Sequence, residues 1–233
     1  ASVQDLLDFN KMVSDAKTDE VTITFKKIDL SEAVIVAIGD SSFANVGKSK
    51  TASQARLIVL LADNTGNKFL RGEASRVSAL IWRSHRIKRV VRSTLTAETM
   101  AALEAVESGD LIRGHLAELH GGLEYKSHAV DVPRNFKMVH VTDCKSLYDL
   151  LQKRGTIPSE RRLLIDIEAL RNDIDENNMV SKWINTRQML ADCLTKGDPR
   201  AADYLRYVLR TGLYRLTEDP KADQSIAESS YSF

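Results

Sequence analysis

Two stretches of this chain are apolar almost without interruption, and each stops at an aspartate: Ala33-Val34-Ile35-Val36-Ala37-Ile38-Gly39-Asp40 and Met138-Val139-His140-Val141-Thr142-Asp143. Their length and β-branched content predict buried strands, with an acid emerging at the end of each. Further strands are predicted over 55–62 and over 67–73 or 76–82, the turn between them marked by Asp63-Asn64-Thr65-Gly66-Asn67. Val21 to Lys26 alternates with period two and predicts a half-buried strand after an opening helix.

From about 94 to 119 the periodicity is helical, with Ala101, Ala105, Ser108, Ile112, Leu116 and Leu119 on one stripe and Gly121-Gly122 as the stop. Glu98 lies on that stripe, so its carboxylate is predicted to face the sheet, where an ionised group needs a cation or donors beside it. A short helix near 145–153, a helix over 159–175, a strand over 180–184 and a last helix near 199–210 complete the pattern. Thr186 is positioned to cap a helix carrying Asp192. The polar segment from 216 to 233 predicts disorder.

Composition narrows the class. With 233 residues, 43% hydrophobic and 28% charged, the chain fits one generous domain with appended ends: an adaptor over 1–30, a core over 31–215 and the tail. No apolar stretch is long enough to span a bilayer. The start, Ala-Ser-Val without an initiator Met, reads as a piece cut from a longer polyprotein. Two cysteines, Cys144 and Cys193, make no disulfide framework, read as buried packing residues, and suit a reducing, intracellular setting. The five histidines show no metal spacing with either cysteine, and Trp82 and Trp183 read as core.

Net charge is only +1, so nucleic-acid affinity does not follow from the total. Its distribution says more. Between Arg83 and Arg92 stand five basic residues and no acid, directly ahead of the Glu98 helix. Arg89 and Arg92 are expected to grip phosphates, and Ser93 and Thr94, at the helix start, to add donors where the dipole favours an anion.

Asp40, Glu98, Asp143 and Asp192, from two strand ends and two helix starts, can converge into one acidic cluster. Such a set suits two Mg²⁺ ions, replaceable by Mn²⁺, that promote in-line attack of water on a phosphodiester. Asp40, on the central strand, is the expected bridging ligand.

The local wording resembles the ribonuclease H domain of copia-type long-terminal-repeat retrotransposons. The resemblance is carried by Asp40-Ser41-Ser42-Phe43-Ala44-Asn45, Ile81-Trp82-Arg83-Ser84, Ser93-Thr94 with Ala97-Glu98, Thr142-Asp143-Cys144-Lys145-Ser146 and Leu190-Ala191-Asp192-Cys193-Leu194-Thr195-Lys196. These motifs cover residues 33 to 197, and 1 to 30 resembles the connector leaving a reverse transcriptase. The resemblance implies a ribonuclease H-like α/β fold with a mixed five-stranded sheet, three antiparallel strands then two parallel, flanked by helices. It implies endonucleolytic hydrolysis of the RNA strand of RNA·DNA hybrids during reverse transcription, with Asp40, Glu98, Asp143 and Asp192 holding metal. Arg89, Arg92, Ser93, Thr94, Lys145, Arg187 and Gln188 are then expected to bind the hybrid. The implied partner is the reverse transcriptase of the same polyprotein, and the implied setting is the cytoplasm, in a virus-like particle, or the nucleus.

The chain departs from the pattern in two places. Between Trp183 and Asp192 there is no His, where cellular relatives often place one that assists product release. Met189 stands where many members have Gln, with Gln188 one place earlier. Competing readings are an integrase-like nuclease of the same superfamily, which usually takes its Glu from a later helix, and a catalytically weak or inactive nucleic-acid-binding module.

Overall fold

Strand β1 (Ala33–Val46) is the axis of the structure, a computed structural model that describes residues 2–18, 20–46, 52–121, 136–153, 155, 158, 160–194 and 199–217. It pairs antiparallel with β2 (Ala52–Asp63), which pairs antiparallel with β3 (Ser75–Arg86). On its other side β1 pairs parallel with β4 (Lys137–Thr142), and β4 pairs parallel with β5 (Met179–Trp183). This is the expected arrangement, three antiparallel strands then two parallel. A sixth strand, β6 (Leu213–Tyr214), adds a short edge beside β3.

Both faces of the sheet are covered, which explains why β1 reads as a continuous apolar run rather than an alternating one. Ile35, Ala37, Leu57 and Val59 pack against α2 (Thr94–Gly121), α3 (Lys145–Gln152) and α4 (Arg161–Glu176). Val36, Ile38, Ile58 and Leu60 pack on the opposite side against Met189, Leu190, Ala191 and Val208, the last from α5 (Pro199–Thr211).

Helix α2 crosses β1 so closely that a Cβ on Gly39 would lie 2.7 Å from the Ala101 carbonyl oxygen, and one on Gly109 would strike Met138. Small residues are required there. The buried face of α2 runs through Glu98, Ala101, Ala102, Ala105, Val106, Gly109, Arg113 and Ala117. The predicted stripe was right at Ala101 and Ala105 and drifted afterwards, since Leu119 is 81% exposed. A fully buried arginine took the place of an apolar residue: Arg113 donates to Asp110 and to the Asn178 carbonyl.

Several expectations are corrected. β1 does not stop at Asp40 but runs on to Val46, still paired with β2. The third strand begins at Ser75, because two 3-10 turns, Thr65–Asn67 and Phe69–Arg71, occupy the alternative span. Val21 to Lys26 joins no ladder; Thr24 N–H donates to the Leu209 carbonyl and Lys26 N–H to the Ser78 hydroxyl. The opening helix α1 (Val3–Thr18) buries none of its residues. Trp82 is 54% exposed on β3 rather than core. The predicted disordered tail does not begin at 216, since Leu216 is buried and Thr217 N–H donates to Gln188; from 218 onward it lies outside the described residues, and no described helix is long and apolar enough to cross a membrane.

Candidate active site

The last parallel pair between β1 and β4 is Ile38 with Val141. Beyond it β4 ends, the chain turns off at Asp143, and β1 continues with one edge open. Asp40 stands at that open edge. Asp143 leaves the adjacent strand end, and its carbonyl accepts from Trp183 Nε1 at 3.0 Å. Glu98 comes down from the first turns of α2, which begins at Thr94 with the Ser93 hydroxyl accepting from Thr96 N–H. Ligand atoms of Asp40, Glu98 and Asp143 lie within 4.8 Å of one another.

Asp192 joins from the other face of the sheet. It sits not in an α-helix but in a 3-10 turn, Leu190–Leu194, preceded by a second one, Thr186–Gln188, whose cap is Asn185 rather than Thr186. Leu190 and Ala191 are buried under β1 and β2, which presses Asp192 inward until it is 5% exposed.

The residue that sequence reading missed is Arg56. It lies directly opposite Asp40 in the β1–β2 register and is fully buried. Its Nη1 donates to Asp40 Oδ2 at 2.5 Å and to Asp192 Oδ1 at 3.2 Å. Nε and Nη2 have no hydrogen-bond partner among the described residues. The signal was present: a lone cation inside the apolar run Ala55 to Leu61 is tolerable only with an anion facing it.

The acids repel one another in a covered site. Burial, and then the neighbouring Glu98 charge, push the Asp40 carboxyl up to about 8 against the attraction of Arg56. Burial also raises Glu98 to about 7; the Ser41 hydroxyl, donating to Oε1 at 2.8 Å, opposes this, and the Asp143 charge adds to it. Glu98 Oε2 is buried with no partner among the described residues. A divalent cation bound by Asp40, Glu98 and Asp143 would supply what these oxygens lack, and oxygen-only ligands suit Mg²⁺ or Mn²⁺.

The residues expected to bind the hybrid are scattered around this cluster. Arg89 and Arg92, on the segment between β3 and α2, and Thr94, the first residue of α2, are exposed. That segment is anchored by Ile87, buried against Ala55, Ala97 and Ala101, so the basic side chains flank the start of the Glu98 helix. Ser93 is half-buried, its hydroxyl engaged at the α2 cap and with Thr96 Oγ1. Lys145 follows Asp143 closely, with its ammonium over the Trp183 and Tyr148 rings and paired with Asp149. Arg187 is exposed. Gln188 instead faces the interior, 1% exposed, its side-chain oxygen accepting from Thr217 N–H, so no contact with nucleic acid is assigned to it. The two cysteine thiols are held protonated by burial, Cys193 up at about 11, which leaves neither as a nucleophile.

No protein-family model matches the chain, and no curated protein matches it. Among solved structures it is similar to LC11-RNase H1, isolated from compost by a metagenomic approach: 18% identity over 70% of this chain and 92% of that one, TM-score 0.42. It is similar to the N-terminal RNase H domain of a Mycobacterium tuberculosis protein, at 12% identity over 77% of this chain and 98% of that one, TM-score 0.40. It is also similar to the prototype foamy virus protease-reverse transcriptase, at 10% identity over 83% of this chain and 22% of that one, TM-score 0.34. These likenesses are distant; the architecture rests on the strand order, and the chemistry on the side chains at the open edge of β1.

Proposed function

We propose that the chain is a divalent-metal-dependent endonuclease of the ribonuclease H type, hydrolysing the RNA strand of RNA·DNA hybrids. The observation that carries this reading is the convergence of Asp40, Glu98 and Asp143, from a strand middle, a helix start and a strand end, onto one point beside an unpartnered Glu98 oxygen. Asp40, Glu98 and Asp143 would hold Mg²⁺, or Mn²⁺ in its place, which when bound would supply activation of water and charge for the leaving oxygen. The side chains of this chain divide the remaining work. Ser41 orients Glu98, α2 holds it against β1, and Trp183 fixes the turn that carries Asp143. The exposed Arg89, Arg92 and Lys145 would supply charge for phosphates, and groups near the cluster would make the 2′-OH contacts that select RNA. A second ion, in a two-ion form of this chemistry, would be held by Asp40 and Asp192.

The motif wording supports a place in reverse transcription of a copia-type retrotransposon, with the element's reverse transcriptase as partner inside the cell. One observation favours a second reading, that of a weak or inactive nucleic-acid-binding module: Arg56 already lies between Asp40 and Asp192. Incubating the purified chain with labelled RNA·DNA hybrid, duplex DNA and duplex RNA, with Mg²⁺ or with chelator, separates the two. Metal-dependent cutting confined to the hybrid's RNA strand is expected. Binding without cutting at any Mg²⁺ or Mn²⁺ concentration supports the module instead.

A further inference from the structure

Arg56 interrupts an otherwise apolar strand: Ala55, Leu57, Ile58, Val59 and Leu60 around it are buried, and its guanidinium is fully covered. A charge placed there is strongly unfavourable unless anions repay its lost hydration. Two do. Nη1 alone bridges Asp40 Oδ2 and Asp192 Oδ1, carboxylates from different elements, at 2.5 and 3.2 Å. A divalent cation shared by these acids would make the same bridge. Mg²⁺ binds carboxylate oxygens at about 2.0–2.1 Å, so an ion on these two oxygens would need the volume that Nη1 fills and would face a like charge. Guanidinium and ion exclude each other at that position.

The other half of the cluster is different. Ligand atoms of Asp40, Glu98 and Asp143 approach within 4.8 Å of one another, and Glu98 Oε2 is buried with no partner among the described residues. Arg56 places its Nη1 on Asp40 and Asp192, the far side of the cluster from that Glu98 oxygen's open position. Its own hold is one-sided: it acts through Nη1, while Nε and Nη2 find no acceptor among the described residues, unlike a bidentate pair that fixes the whole plane.

We propose that Arg56 is a built-in counter-ion closing the second cation position in the substrate-free protein. The chain then binds one divalent ion, on Asp40, Glu98 and Asp143, and admits another between Asp40 and Asp192 only when the guanidinium is withdrawn. This rests on the metal-dependent reading and sharpens its ion count.

Mn²⁺ titration of the full chain without nucleic acid tests it, by calorimetric stoichiometry and by electron paramagnetic resonance. One Mn²⁺ per chain is expected for the natural protein, with the spectrum of an isolated ion. Arg56→Met, similar in length and uncharged, should take two, with the spectrum of a spin-coupled pair, and Arg56→Lys should return to one. Two ions in the natural protein, or one in a folded Arg56→Met, overturns the proposal. Absence of Mn²⁺ binding overturns it together with the metal-dependent reading, which the one-or-two result leaves standing. Should Arg56→Met fail to fold, Asp192→Asn decides: the single Mn²⁺ should persist there and be lost in Glu98→Gln. Loss of that ion in Asp192→Asn overturns the assignment.

Discussion

Asp63 and Asp40 lie on neighbouring strands of one ladder, each well covered and each paired with an arginine, yet their carboxyl groups are driven in opposite directions. Asp63 accepts from the Thr65 hydroxyl at 2.6 Å, the Thr65 N–H at 3.0 Å and both Arg76 Nε and Nη2. Those donors, the Thr65 hydroxyl foremost, hold it down at about 2. Asp40 has Arg56 but sits deeper, beside Glu98, Asp143 and Asp192, and is pushed up to about 8. The presence of an arginine partner does not separate them. What differs is burial, and whether the remaining neighbours are donors or other acids. Asp63 is satisfied by its own chain and has nothing left to bind; Asp40 is left with a demand for positive charge that the protein meets only in part.

The sharpest way to break this comparison is catalysis. Asp40→Asn, Glu98→Gln and Asp143→Asn should each reduce Mg²⁺-dependent hybrid cleavage about a thousandfold or more, roughly 4 kcal/mol of barrier. Asp192→Asn should be milder, since Asp192 stands outside the three-acid group. Asp63→Asn should leave kcat within about twofold. Single-turnover cleavage of a labelled hybrid reads all five. Near-normal activity in Asp40→Asn would mean the cluster is a fold feature and not the site.

Stability should separate the two regions with opposite signs. Asp63 has a folded pKa near 2, below the ordinary 3.8, so its contribution is present above pH 3.8 and lost as pH falls through 2. Asp63→Asn should therefore cost about 1–2 kcal/mol at pH 7, at the low end for charged hydrogen bonds because Arg76 is half exposed, and the deficit should fade in acid. Glu98 runs the other way. Its folded pKa near 7 exceeds the ordinary 4.5, so its stabilising contribution is full below pH 4.5 and lost as pH rises through 7. Glu98→Gln should be more stable than the natural protein at pH 8 in chelator, with the gain shrinking toward pH 4.5. Millimolar Mg²⁺ should reverse that order, stabilising the natural protein by about 1.4 kcal/mol for each tenfold excess over Kd. Urea denaturation across pH, with and without Mg²⁺, gives the result; a Glu98→Gln curve parallel to the natural one would remove Glu98 from the charge cluster.

Much of this was legible in the sequence because burial on both faces writes long apolar runs, and those runs located β1, β4 and the acids attached to them. Asp40 was found for a partly wrong reason. Its strand does not end there; only the β4 neighbour does, and pairing partners are not visible in a single sequence. The drift of the α2 stripe has a similar cause. Gly109 and Arg113 lie on the buried face because Met138 and Asn178 happen to be opposite, and neither residue scores as apolar. Gln188 looked like a loop residue free to reach substrate, whereas Tyr214 and Thr217, distant in sequence, cover it. Arg56 was the largest omission. Its meaning depends on the register that sets it against Asp40 and on the turn that brings Asp192 to it.

The smallest expected effect concerns the exposed cations outside the cluster. Arg89 and Arg92 gain nothing from burial, and nothing in their surroundings singles them out as Arg56 is singled out. Their significance lies in placement: Ile87 pins the segment beneath Ala97 and Ala101, so both flank the first turns of α2. If each meets one phosphate, Arg89→Ala with Arg92→Ala should weaken hybrid binding and lower the slope of log affinity against log salt by up to about two. Cleavage at saturating hybrid should change little, because the acids proposed to hold metal are intact. A salt series of hybrid affinities for the natural and doubly substituted chains measures this. Superimposable lines would show that the basic run is only a solvated face.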